Sequence, residues 1–134
     1  MKISVIDKSN YLKGLLIVAK KDNQLSHPEK EMIRGIATRL GFAKDFYEET
    51  LRNLMANKYI SESHVIFSDI EIAKSFISDG LMLAFSDTQD SETEIRWLQN
   101  TALKNGITLE WFEEKKKELQ NSGTPKSFAL YSII

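Results

Sequence analysis

Apolar residues recur every three or four positions along most of this chain, the spacing of helices with one buried face. The first such segment is predicted to start near Ser9 or Asn10, both good N-caps, and to end about Lys21. Leu12, Leu15, Leu16 and Ala19 share its face, and Ile17 and Val18 widen it. A helix apolar on most sides belongs at the centre of a fold. A second helix is predicted from about His27 to Leu40, with Met32, Ile33, Ile36, Ala37 and Leu40 on one stripe and Gly41 as its stop. A third, from about Lys44 to Asn57, turns Phe46, Tyr47, Leu51, Leu54 and Met55 inward. Residues 58–67 show no clear period, although Val65, Ile66 and Phe67 read as a brief extended piece.

The pattern then replays. Ser68-Asp-Ile-Glu71 has the capping-box spacing that opens a helix. Ala73, Phe76, Ile77, Gly80, Leu81 and Ala84 form its stripe, with Met82, Leu83 and Phe85 round the back. Two further helices are predicted, about Glu92 to Lys104, ended by Gly106, and about Leu109 to Gln120, with Trp111, Phe112 and Leu119 inward. Asn121-Ser-Gly123 closes the last one, and Pro125 prevents a restart. Slid against itself by 65 positions without a gap, the chain places Ala37 on Ala102, Gly41 on Gly106 and Phe46 on Trp111. A repeat of this length means one helical unit used twice.

The expected fold is therefore all-α and single-domain, with about six main helices in two pseudo-equivalent halves (about 9–57 and 68–121). A connector, 58–67, joins them, and an apolar tail, 124–134, follows. The first helix and its repeat are the expected central pair. The tail Phe128 to Ile134 and the head Ile3 to Ile6 are too apolar to stand in water. They either pair as a short β-ribbon, pack on the helices, or, for the tail, dock on a second copy to give a homodimer.

Composition narrows the function classes. At 134 residues, with 42% hydrophobic and 28% charged positions, the chain can bury roughly two thirds of its unfolded surface. A net charge of −1 argues against a nucleic-acid binder. The absence of cysteine excludes disulfides and thiolate-bound metal. No secretory signal is expected, since Asp7 interrupts the apolar start, and Leu15 to Ala19 is too short for a transmembrane segment. The expected location is cytoplasmic. Catalytic signatures are missing: there is no phosphate loop, no nucleophile elbow and no paired histidines. His27 and His64 read as surface residues. The aromatic residues Phe46, Tyr47, Trp97, Trp111 and Phe112 read as core, and Glu113 to Glu118 as a solvated face with Glu–Lys pairs. A non-enzymatic protein is expected.

The candidate chemistry lies in the repeated turns. Asp22-Asn-Gln-Leu-Ser26-His-Pro-Glu29 falls on Asp87-Thr-Gln-Asp-Ser91-Glu-Thr-Glu94. Ser26 with Glu29, and Ser91 with Glu94, fit a capping box, which needs no ligand. The aspartate seven residues before each glutamate goes beyond that need. Asp22 can close an Asx-turn, or it can join Glu29 around a hard cation. In the second turn Asp87, Asp90, Glu92 and Glu94 crowd four carboxylates together, and a cation relieves their repulsion. An EF-hand is excluded: the glycine and the bidentate glutamate it requires are absent from both turns. Two readings stand: helix caps alone, or a divalent cation (Ca²⁺, Mg²⁺, Mn²⁺ or Zn²⁺) held by Asp22, Glu29, Asp87, Asp90 and Glu94.

The string from Asp22 to Glu29, set between an apolar helix and one ending in Leu40-Gly41, resembles the Asp-Gly-x-aliphatic-Ser-x-x-Glu signature of the tellurite-resistance protein B (TerB) family. The same module occurs at the N-terminus of membrane-anchored DnaJ-like proteins. The likeness covers about residues 10–115. The family glycine is Asn23 here and Thr88 in the second turn, where Asp90 also replaces the aliphatic residue. The resemblance implies an all-helical fold with pseudo-twofold symmetry. It also implies a stress-related interaction module with a protein partner, and a metal cluster at Asp22, Glu29, Asp87 and Glu94.

Overall fold

The structure is a computed structural model that describes residues 2–20, 27–56, 64–86, 92–121 and 128–133. Its helices are α1 (Val5–Lys20), α2 (His27–Arg39), α3 (Lys44–Ala56), α4 (Ile70–Phe85), α5 (Glu92–Lys104), α6 (Leu109–Asn121) and the short α7 (Leu130–Ile133). The all-α prediction holds. Each helix of the second half begins 65 positions after its counterpart and has the same length, 16 residues for α1 and α4 and 13 for the other four.

The central pair is α1 and α4, as their wide apolar faces require. Tyr11, Leu12 and Leu15 to Ala19 are buried on α1, and Ile72, Ala73, Phe76, Ile77 and Leu81 to Ala84 on α4. The outer helices bury single stripes: Ile33, Ile36 and Ala37 on α2, with Leu40 just beyond it, and Trp97, Leu98 and Ala102 on α5. Both α2 and α5 end in the same Schellman turn. Phe42 N–H donates to Ala37 (3.1 Å) and Gly41 N–H to Thr38 (3.0 Å); Ile107 donates to Ala102 (3.0 Å) and Gly106 to Leu103 (3.1 Å). Gly41 and Gly106 have φ of 93° and 81°, which a side chain resists.

Several predicted details are corrected. The first helix starts four to five residues earlier than Ser9 or Asn10, because Ser4 caps it. The Ser4 hydroxyl oxygen accepts from Asp7 N–H at 3.2 Å and donates to the Asp7 carboxylate at 3.1 Å, a capping box with aspartate in the reciprocal place. At the equivalent point of the second half the cap is Asp69 rather than Ser68. Its carboxylate accepts from Glu71 N–H at 2.7 Å, while Ser68 is drawn away to Asp7. Phe46 is 53% exposed and stacks on Phe42. Its neighbour Tyr47, about 100° further round the helix, faces the core instead; among its described side chains α3 buries one narrow stripe, and Phe46 lies outside it. Trp111 is half-buried, with the ammonium groups of Lys74 and Lys115 within 5.7 Å of its ring. His64 is half-buried, 2.9 Å from the Thr101 hydroxyl and against Trp97, so it is no surface residue. Ion pairs Lys116–Glu113 (3.4 Å) and Lys115–Glu118 (3.3 Å) form along α6 as predicted. The side chains of His27, Leu51, Leu54 and Met55 lie outside the described ones.

Residues 65–67 lie outside any helix, with Val65 and Phe67 buried and Ile66 exposed, and no strand among the described residues runs beside them. The Asn105 carboxamide takes a strand's place: it donates to Val65 C=O and accepts from Phe67 N–H, both at 2.8 Å. Head and tail both pack on the chain's own helices. Ile3 is buried beside α1, and α7 packs on α4 with Leu130 fully enclosed; the described residues form no β-ribbon.

Candidate functional site

Of the five predicted cation ligands, Asp22, Asp87 and Asp90 lie outside the described residues, as do Ser26 and Ser91. Glu29 and Glu94 are described. They occupy equivalent places in the first turns of α2 and α5 and are only 3% and 5% exposed. Carboxylates are almost never so buried unless partnered, and both are engaged by other groups of the chain. Each also sits where the helix dipole favours negative charge. Glu92, two residues before Glu94, points outward and pairs with Arg96 at 3.0 Å. Among the described residues no three histidine, aspartate or glutamate side chains converge as a metal site.

A different acid lies at the centre of the molecule. Asp79, in the middle of α4, has no exposed surface. One carboxylate oxygen, Oδ1, accepts from Ala129 N–H at 2.7 Å. The other accepts from the Tyr11 hydroxyl at 2.5 Å and from Leu130 N–H at 3.2 Å. The Ser75 hydroxyl lies 2.8 Å from Tyr11 Oη. One buried carboxyl group thus ties α1 to α4 and holds the start of α7. Burial raises its pKa to about 6, against the opposing pull of the Tyr11, Ala129 and Leu130 hydrogen bonds. Burial, then the charge and hydrogen bond of Asp79, push the Tyr11 hydroxyl well above its ordinary value.

Asp7 is also a buried acid, 2% exposed, and its environment acts the other way. It accepts from Ser68 N–H (3.1 Å), the Ser68 hydroxyl (2.5 Å) and the Ser4 hydroxyl (3.1 Å). Burial raises its pKa, but these hydrogen bonds outweigh burial and hold it below the usual value. It fastens the start of α1 to the start of α4. At the surface, Arg34 on α2 grips Glu48 on α3 through two nitrogens, at 2.5 and 3.2 Å, and Glu31 at 2.7 Å. Those hydrogen bonds raise the Arg34 pKa and lower that of Glu48.

The sequence reading passed over Asp7 and Asp79 as buried acids. Asp79 stands four and eight residues after Ser75 and Glu71, on what reads as the polar stripe of α4, so no local pattern marked it as buried. The signal for Asp7 was Ser4-x-x-Asp7, a capping-box spacing five to six residues upstream of the caps considered.

No helix of the described residues is long and apolar enough to cross a membrane. No protein-family model matches the chain, nor does any curated protein or solved structure.

Proposed function

We propose that the protein is a non-enzymatic, TerB-like interaction module whose paired acidic turns bind a divalent cation. Held by Glu29 with Asp22, and by Glu94 with Asp87 and Asp90, the ion ties together the two helices that flank each turn. It thereby sets the shape of a face read by a protein partner. One observation carries this reading: the two glutamates at the ends of the acidic strings are buried alike, at equivalent positions, while Glu92 between them in type and place is exposed. Glutamate on a first turn is ordinarily solvated.

Calorimetric titration of the chelator-treated chain with Ca²⁺, Mg²⁺, Mn²⁺ and Zn²⁺, alongside thermal melting, tests the proposal. A saturable site is expected, with Tm rising as the ion occupies the folded state. Glu29→Gln, Glu94→Gln, Asp22→Ala and Asp87→Ala should each weaken it. No binding at millimolar ion overturns the reading.

The side-chain caps at Ser4 and Asp69 favour a second reading. In it the acidic turns are caps of the same kind, and the chain is a structural or homodimeric scaffold. Metal-independent melting, with Glu29→Gln and Glu94→Gln lowering Tm, supports that reading.

A further inference from the structure

We propose that Phe128–Ile133 is a proton-gated latch: the segment closes on α4 when the carboxyl group of Asp79 beneath it is protonated, and loosens when that group ionises. The segment rests on the core through Leu130 and through the partly buried Phe128 and Ile133. Leu130 is its one fully enclosed side chain, and the amides of Ala129 and Leu130 are bound by Asp79. At its far edge Tyr131 reaches α2, with the Arg39 guanidinium 5.7 Å from its ring and its hydroxyl close to Gly35. Lifting the segment removes both amides from Asp79 and admits water. It also uncovers the seat of Leu130 and the edge of α2 at Gly35, Thr38 and Arg39.

The sign follows from burial. In the closed state Asp79 titrates near 6; hydrated, it returns to an ordinary carboxyl value near 3.8. Closing therefore takes up a proton between those values, so acid favours closure and neutral pH favours opening. With these two values the opening constant rises about tenfold between pH 5 and pH 7.5.

The surroundings leave the response to Asp79. From α1 it meets Tyr11, whose hydroxyl is held far above this range. On its own helix, Ser75 reaches Tyr11 and does not titrate. The next residue, Gly80, lies against Leu98 of α5. From the tail come backbone amides, and beyond them the Arg39 guanidinium lies over Tyr131. The α6 side meets α4 more than a turn away, where Lys74 lies over Trp111.

The test is hydrogen exchange of the amides of residues 129–133 in the full chain from pH 5 to 7.5, corrected for intrinsic rates. The expected result is the tenfold rise in wild type and a flat response in Asp79→Asn. The asparagine keeps a carbonyl for Ala129 and offers its amide to Tyr11, at the cost of the Leu130 N–H bond. A flat response in wild type, or an unchanged slope in Asp79→Asn, overturns the proposal. Should Asp79→Asn fail to fold, direct titration of the Asp79 carboxyl carbon in wild type and Leu130→Ala decides. Loosening the latch must move the midpoint down from about 6 towards the ordinary value, and an unmoved midpoint overturns the proposal.

Discussion

In the first repeat, the backbone of Gly14 lies against the ring of Phe76, and Val65 packs beside it. In the second, the equivalent position is Asp79, which takes the hydroxyl of Tyr11 and lies beneath Leu130. Tyr11 and Phe76 are themselves equivalent, 65 positions apart, and their rings meet edge to face at 5.5 Å. Each aromatic thus reaches the other repeat's central helix at the same point, the reciprocity a twofold axis demands. Val65 and Leu130 are equivalent too, so the connector after α3 and the segment after α6 play one part. The connector is held by the Asn105 and Asn10 carboxamides, and the segment by a carboxylate. One helical frame accepts a dry contact in one half and a buried hydrogen-bonded acid in the other, provided donors arrive with the acid. The outer helices differ as well: the Arg34–Glu48 pair has no counterpart in the second repeat, where Gln99 stands opposite Glu113.

The comparison can be broken most severely at the ring that both halves share. Phe76→Ala removes a fully buried ring that touches Tyr11, Phe67 and Trp97, and should cost about 3–5 kcal/mol in denaturant unfolding. Loss below about 1 kcal/mol would show that this junction does not hold the repeats together. Gly14→Ala puts a methyl group into that same ring and should cost about 1–3 kcal/mol, read as a lowered denaturation midpoint at unchanged slope.

The acids should separate the halves by pH. Asp79 has a raised folded pKa, so its ionisation opposes folding at neutral pH. Stability from this group is fully present below about pH 4 and is lost as pH rises through about 6, a change of order 3 kcal/mol. Asp79→Asn should abolish that rise on acidification. Asp7 has a lowered folded pKa, so its contribution is present above the ordinary carboxyl value and is lost as pH falls through the lower one. Chemical unfolding of wild type, Asp79→Asn and Asp7→Asn from pH 3 to 7.5 distinguishes the two; identical profiles would refute the assignment. Smallest of all, Gly41→Ala and Gly106→Ala should each cost about 1 kcal/mol through their positive φ, and by similar amounts if the two Schellman turns are true equivalents.

The outer helices were legible because amphipathic period and glycine stops are local. Predicted ends at Lys104 and Leu40 fall within a residue of the observed ones, as do the starts at His27, Lys44, Glu92 and Leu109. The start of α1 was misplaced because Ser4-x-x-Asp7 sits where the apolar period has not yet begun. Phe46 was misread because an aromatic beside another aromatic carries no information about which of the two faces inward. For the acidic turns, the sequence offers the spacing, and the fold adds the burial of Glu29 and Glu94, which no local pattern distinguishes from an exposed capping glutamate.

By itself the sequence determined the helical repeat: its unit, its 65-residue step, its stops and the central place of α1 and α4. Those follow from apolar spacing and from backbone conformations that glycine alone takes easily. Only the tertiary structure decided what the repeat encloses. Tyr11 and Asp79 are 68 positions apart, and Asp7 and Ser68 are 61, so their hydrogen bonds exist only after the two halves meet. Whether an acid ends in water or in the core is settled there, because burying it requires donors that other helices must deliver.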